Sequence, residues 1–444
     1  MAKARYKQLV DHFASAIRGG TLPPGSRLPT HRQLARQEGI ALVTASRIYA
    51  ELGAMGLVSG ETGRGTFVRD LSLPASHGID QREVPWEVTD LNFNNPALPG
   101  QTELLREGLR QLAAGGDLAG LLRYQPHGGR LHERTIVARH LAARGIAVSG
   151  EQVLIVNGAQ HGLAVCAMAL LQAGDVVAVD ALTYPGFKVL AEALQLEMLP
   201  IPVNGQGMDL QALASLCSRR RVKAIYCMPT LHNPLGWVMP EAERRQLLAI
   251  ARRHALLVIE DAAYAFLVDN APPPLCMLAP ERTVYVSGLS KSVATGLRIG
   301  FVTAPQHWLG ALERAIRATS WNTPGVMTAL ACGWIEDGTV ARLEREKRLD
   351  AAARQAMARR HLAGLDFISH PASYFLWLPL AEEVRAEQIV SALLKQKIAV
   401  SSAQPFACGD HVPHALRLAL GSVEPEALEG ALQVVSKVIR DHTF

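Results

Sequence analysis

Six short runs of branched apolar residues, Val153–Val156, Val176–Val179, Ala224–Cys227, Leu256–Ile259, Val284–Val286 and Ile299–Val302, alternate with longer segments of helical periodicity. Apolar runs this short, without polar alternation, suit strands buried on both faces, and strands separated by helices cannot pair as hairpins. The pattern predicts an α/β fold with a mainly parallel sheet covered on both sides, its ligand site outside the carboxyl ends of the strands. With 444 residues, 49% of them hydrophobic, the chain can bury one large core of this kind with a small module beside it.

The first seventy residues follow another pattern. Tyr6, Leu9, Val10, Phe13 and Ile17 recur at helical spacing over about 5–18, and the helix is expected to stop at Gly19-Gly20. Thr30, with Gln33 three residues on, has the spacing of a capping box and opens a second helix that Gly39 breaks. Thr44 to Ala54 predicts a third, with Ala45, Ile48, Tyr49 and Leu52 inward and Thr44, Ser46 and Arg47 outward. Leu57-Val58-Ser59 and Thr66-Phe67-Val68-Arg69, joined across Gly60 to Gly65, predict a two-stranded wing. Ten Lys or Arg against five acids give residues 1–70 a net charge of +5, the net charge of the whole chain. The remainder is neutral, so any polyanion is met by this head alone. Three-helix modules also dock proteins, but charge confined to one such module favours nucleic acid. Residues 71–89 mix prolines, a glycine and charges without periodicity and read as a linker.

Chemistry-bearing residues cluster where the strand-like runs end. Ser287-Gly-Leu-Ser290-Lys291, with Arg298 seven residues on, follows one run, and Glu260-Asp261-Ala-Ala-Tyr264 follows another. A lysine that holds an aldehyde cofactor as a Schiff base needs an acid for the pyridine nitrogen, a hydroxyl near the phenolic oxygen and donors for a phosphate. Asp261, Tyr264, Ser290 and Arg298 are of those types. Asn157-Gly-Ala159-Gln160 lies between a strand-like run and a helical segment, where backbone N–H groups can bind an anion. Taken singly, each piece is ordinary: a surface Ser-Lys, an Asn-Pro turn, a strand-end arginine. Their order along the chain gives them weight.

In that order they resemble the class I/II aminotransferases, fold-type I enzymes that use pyridoxal 5′-phosphate (PLP). The resemblance implies that Lys291 carries the cofactor, that Asp261 pairs with its ring nitrogen, and that Ala159, Gln160, Ser290 and Arg298 hold its phosphate. Tyr184 of Tyr-Pro-Gly resembles the residue that covers the ring, and Asn233 of His232-Asn-Pro-Leu-Gly resembles the donor to the phenolic oxygen beside Tyr264. Arg417 of Leu-Arg-Leu resembles the arginine that grips a substrate carboxylate. Tyr124 stands where related enzymes place a tyrosine reaching the partner subunit's phosphate site; read by itself it is a half-buried loop aromatic. Phe93-Asn94-Asn95-Pro96-Ala97 departs from the family, which has a glycine near the substrate carboxylate, and this weighs against an ordinary broad-range transaminase. The expected body spans 90–444, with a large lobe of about 130–325 and a smaller one of about 90–129 plus 330–444.

Residues 24–68 resemble the winged helix-turn-helix heads of GntR regulators, which implies DNA contacts from Arg32, Thr44, Ser46, Arg47, Arg64 and Gly65. Here too there is a departure, since Ala41-Leu42-Val43 stands where such heads carry a basic residue. Head and body together resemble the MocR family of bacterial regulators. That resemblance implies a homodimer bound to double-stranded operator DNA and controlled by PLP or an amine ligand such as an amino acid. The alternative is an active aminotransferase with an accessory head. Six scattered cysteines with no Cys-x-x-Cys pair fit thiols in a reducing cytoplasm, and neither metal nor membrane is expected. The expected location is the bacterial cytoplasm, at the nucleoid.

Overall fold

The computed structural model describes residues 2–18, 21–23, 25–55, 57–61, 65–69, 87–115, 117–204, 207–381, 384–409 and 412–443. Arg64, the glycines expected to end the first helix and residues 71–86 of the linker lie outside these.

In the head, α1 (Ala2–Arg18), α2 (His31–Glu38) and α3 (Leu42–Ala54) precede an antiparallel wing of β1 (Val58–Glu61) and β2 (Gly65–Val68). Thr30 caps α2 through a complete capping box with Gln33, and Gly39 closes it in the left-handed conformation at φ +62°. Leu34, Ala45, Ile48, Tyr49 and Leu52 form the centre of its apolar core. The third helix starts two residues earlier than expected, so Leu42 and Val43 belong to its first turn.

The body contains a seven-stranded sheet. Its strands are β3 (Val153–Val156), β4 (Val176–Asp180), β5 (Glu197–Ile201), β6 (Val222–Cys227), β7 (Leu257–Asp261), β8 (Thr283–Gly288) and β9 (Gly300–Thr303), in the order β3-β9-β8-β7-β6-β4-β5. Only β9 runs antiparallel to its neighbours. The edge strand β5 was not expected. Its Glu197 is exposed and its Pro200 half-buried, so it lacks the unbroken apolar run of the central strands. Apolar clusters lie on both faces of the sheet, as doubly covered parallel strands require.

A long helix, α5 (Thr339–His361), leads to a second sheet of β10 (Phe375–Pro379), β11 (Ser401–Ser402) and β12 (Ala415–Ala419) in the order β10-β12-β11. Thr89-Asp90 pairs in parallel with Ile398-Ala399, and Glu87 forms an ion pair with Lys397 at 2.6 Å. The end of the expected linker is therefore already attached to the body. Leu91 joins the apolar cluster under the second sheet, whereas Leu98 and Leu104 pack with Leu330 and Trp334 against the seven-stranded sheet. Segment 90–129 thus divides its packing between the two lobes. Head and body touch where the Arg385 guanidinium lies 3.6 Å from the centre of the Phe67 ring.

Gly300 sets how closely β9 approaches the start of the helix after β3. A Cβ there would stand 2.5 Å from the Gly158 carbonyl carbon and 2.8 Å from the Ala159 nitrogen, and neither backbone atom can swing aside. Gly300→Ala should lower the stability of the body by about 1–3 kcal/mol, read as an earlier urea midpoint, with the head's melting unaffected.

Candidate active site and nucleic-acid interface

A cavity of about 790 Å³ opens at the carboxyl ends of the central strands. Ala159, Gln160, Ser290 and Arg298 line one part of it, Tyr184, Asn233, Asp261 and Tyr264 another, and Lys291 and Arg417 complete the wall. Ten residues singled out in the sequence thus come together. Tyr124 does not join them. It is 84% exposed and packs against Trp321 at a ring separation of 5.5 Å.

The first part of the cavity is built for an anion. Helix α4 (Gly158–Leu170) starts directly after β3, aiming the N–H groups of its first turn at the cavity mouth. Gly158 sits at φ +82°, and a Cβ there would come within 2.7 Å of Arg298 Nη2, so only glycine lets the guanidinium lie against the helix start. Arg298 donates to the Asn157 carbonyl at 3.1 Å. The buried Ser290 Oγ has no partner among the described residues, as a hydroxyl reserved for a bound phosphate would have none. His161 adds no charge here: burial, with the Arg298 charge beside it, pushes its pKa down, and its nitrogens are engaged by Asn157 N–H and Thr319 Oγ1.

Asp261 ends β7 in the middle of the sheet and is 2% exposed. Burial raises its carboxyl to about 6, against the opposing pull of hydrogen bonds donated by Tyr226 O–H at 2.9 Å and Ala263 N–H at 3.0 Å. Such a carboxyl gains most from a cation beside it. Tyr226 was not anticipated. It stacks face to face on Phe187 at 3.8 Å, and a tyrosine inside an apolar strand reads in one dimension as ordinary core.

Lys291 Nζ donates to the Asn94 carbonyl at 2.5 Å. Arg417, in the middle of β12, is 4% exposed; it donates to the Asn92 carbonyl at 2.5 Å and lies 5.1 Å from the Phe375 ring centre. Its Nε has no partner among the described residues. Asn92 and Asn94 therefore line this wall, each holding one cationic side chain through its main-chain oxygen. Lys347 of α5 was also missed, because it sits in a run of charges that reads as a solvated face. It is fully buried and donates to the carbonyls of Pro96, Lys291 and Val293 at 2.7, 3.2 and 2.8 Å. Burial, with Lys291 nearby, pushes it down to about 7.

On the head, Arg32 and Arg47 are exposed, but Thr44 and Ser46 are half-buried rather than outward. Ser46 Oγ is within 3.0 Å of His31 Nδ1, and the Arg47 guanidinium lies 4.8 Å from the Tyr6 ring centre. The expected outward face is partly engaged by the head itself, because α3 packs closely against both other helices. Gly65 starts β2 at φ +126°, where a Cβ would meet Arg27 Nε at 2.9 Å.

Residues 87–435 match the family model for aminotransferase class I and II, and residues 5–68 match that for bacterial regulatory proteins of the gntR family. The HTH-type transcriptional regulator YdeF of Bacillus subtilis is 26% identical over 99% of this chain and 96% of its own length. The probable rhizopine catabolism regulatory protein MocR of Rhizobium meliloti is 25% identical over 87% and 81%. Among solved structures, the α-aminoadipate aminotransferase LysN of Thermus thermophilus, complexed with N-(5′-phosphopyridoxyl)-L-leucine, superposes with a TM-score of 0.74 at 24% identity, over 82% of this chain and 94% of that one. The chain belongs to the aminotransferase class I and II family and, with its gntR-type helix-turn-helix head, is a GntR-type transcriptional regulator of the MocR kind fused to an aminotransferase domain.

Proposed function

We propose that the chain acts as a homodimer whose heads (1–70) bind operator DNA and whose body (90–444), tethered through 71–89, binds PLP at Lys291 and takes an amino-group ligand as its signal. One observation carries this reading: ten residues from separate segments, of the types PLP needs, line a single cavity in a chain whose whole net charge lies in its head. When bound, PLP supplies an aldehyde that condenses with primary amines and a ring that accepts electron density.

The chain's residues have distinct tasks. Arg298, Ser290 and the N–H groups of Ala159 and Gln160 hold the phosphate. Tyr184 covers the ring, Asn233 and Tyr264 donate to its phenolic oxygen, and Asp261 keeps a proton on its nitrogen. Arg417 grips the ligand carboxylate. Tyr124 and Leu122, 84% and 90% exposed, form with Trp321 an apolar patch suited to a second copy of the chain, across which Tyr124 reaches that copy's phosphate site. Arg385 supports a link between the halves, since it rests on Phe67 of the wing and lies 2.7 Å from His414, next to the strand that carries Arg417. The place of action is the bacterial cytoplasm, at the nucleoid.

Coupling between two sites is reciprocal, so a ligand that changes operator affinity must itself be bound more or less tightly by the operator complex. Titrating operator DNA with apo protein, PLP-loaded protein and PLP-loaded protein plus amino acids should reveal shifts of roughly five- to 150-fold, lost in Arg417→Ala. The intact set of Lys291, Asp261 and Arg417 also favours a second reading, an active aminotransferase. That reading stands alone if operator affinity is the same in every state while amino and keto acids turn over at ordinary enzyme rates.

Wild-type protein loaded with PLP should absorb visible light and retain the cofactor after borohydride treatment. Lys291→Ala should do neither, and a covalently trapped cofactor in that variant would remove Lys291 from its role.

Asp261 links cofactor and stability. Its carboxyl is raised in the fold, so stability present below the unfolded value of 3.8 is lost as pH climbs through about 6, a cost of about 3 kcal/mol once ionised. Asp261→Asn should therefore stabilise the apo protein by up to about 3 kcal/mol near pH 7.5 and hardly at all near pH 4, while weakening PLP binding. Urea unfolding at both pH values, with a PLP titration, checks both parts.

A further inference from the structure

The first turn of α3 presents two aliphatic side chains to solvent: Val43 is 81% exposed and Leu42 46%. Neither belongs to the head's core, which takes Ala45, Ile48, Tyr49 and Leu52 from the opposite face of the same helix. Their polar neighbours are partly committed elsewhere, Ser46 to His31 at 3.0 Å and Arg47 to the Tyr6 ring at 4.8 Å. The outermost side chain of this turn is therefore a branched hydrocarbon, on a head whose net charge of +5 suits a polyanion.

In a helix-turn-helix it is the first turns of the second helix of the motif that meet base edges in the major groove. A valine there can neither donate to nor accept from a base, and the one apolar group a base pair displays in that groove is the thymine C5-methyl. We propose that Val43, flanked by Leu42, reads thymine C5-methyl groups in each half-site, so that the head selects T where a basic residue would select G. The proposal rests on the DNA-binding reading above and deepens it, replacing hydrogen-bond readout at this position by hydrocarbon contact.

The test uses full-length protein and a duplex that it selects from a randomised pool. Each thymine of the selected site is then replaced singly by uracil, which removes only the methyl group. At one or two positions per half-site the wild type should lose about fourfold in affinity, the worth of one buried carbon. Val43→Ala should lose a similar factor on the thymine duplex and no longer distinguish thymine from uracil at one of these positions, an energetic coupling visible only in the double comparison. Leu42→Ala should do the same at the adjacent one. The salt dependence of binding should be unchanged in both variants, since no phosphate contact is lost. Both side chains are exposed, and a thermal melt matching that of the wild type establishes that the head is folded. Wild-type affinity that is indifferent to every uracil, or a Val43→Ala protein that still discriminates at the same positions, overturns the proposal and leaves DNA binding standing. A pool that yields no enriched duplex overturns the DNA-binding reading and the proposal with it.

Discussion

Asp261 is a carboxyl placed where water cannot solvate it, at the end of a central strand, and much of the body's architecture can be understood from that placement. Burial raises its pKa to about 6, and Tyr226 and the Ala263 N–H only partly offset the cost. The tyrosine is itself locked by stacking on Phe187. A carboxyl held this way is a source of binding energy for a cation that enters the cavity, because the cation relieves what the fold left unrelieved. The sheet around it must be rigid enough to sustain the arrangement, and strands apolar on both faces with closely approaching glycines supply that rigidity.

A second polar network joins the two lobes. Lys347 reaches from α5 to three carbonyls, one on the segment that carries Asn94 and two on the loop of Lys291. One turn further, Asp350 accepts from Tyr374 and Arg354, and Arg354 donates to the carbonyls of Leu420 and Val423, just beyond the strand of Arg417. The helix therefore ties the lysine loop to the strand of Arg417 through a short series of buried and half-buried hydrogen bonds. Breaking any one of these bonds would leave a polar group of low exposure unpaired, which makes the network costly to disturb.

The head has its own core and its own charge. Among the described residues its contact with the body is narrow and includes the Phe67–Arg385 pair beside the Arg417 strand. A narrow contact is more readily made or broken by small displacements than a broad apolar interface.

Much of this was legible in one dimension, because the signals were local. Thr30 and Gln33 specify a helix start, unbroken apolar runs specify buried strands, and Asp261 and Lys291 follow such runs, and Arg298 directly precedes one, at the strand ends where ligands sit. Other features depended on three-dimensional packing. Tyr226 reads as core until the sheet sets its hydroxyl on Asp261, Lys347 reads as surface until α5 crosses behind the lysine loop, and the outward face of α3 changes once α1 and α2 take up Arg47 and Ser46. By itself the sequence determined the fold class, the two modules and the residues that gather in the cavity, since backbone preference and apolar periodicity are properties of neighbours along the chain. Only the tertiary structure decided which polar groups are dry, which are paired and which are left to meet a ligand, because burial and hydrogen-bond geometry depend on segments that the sequence holds far apart.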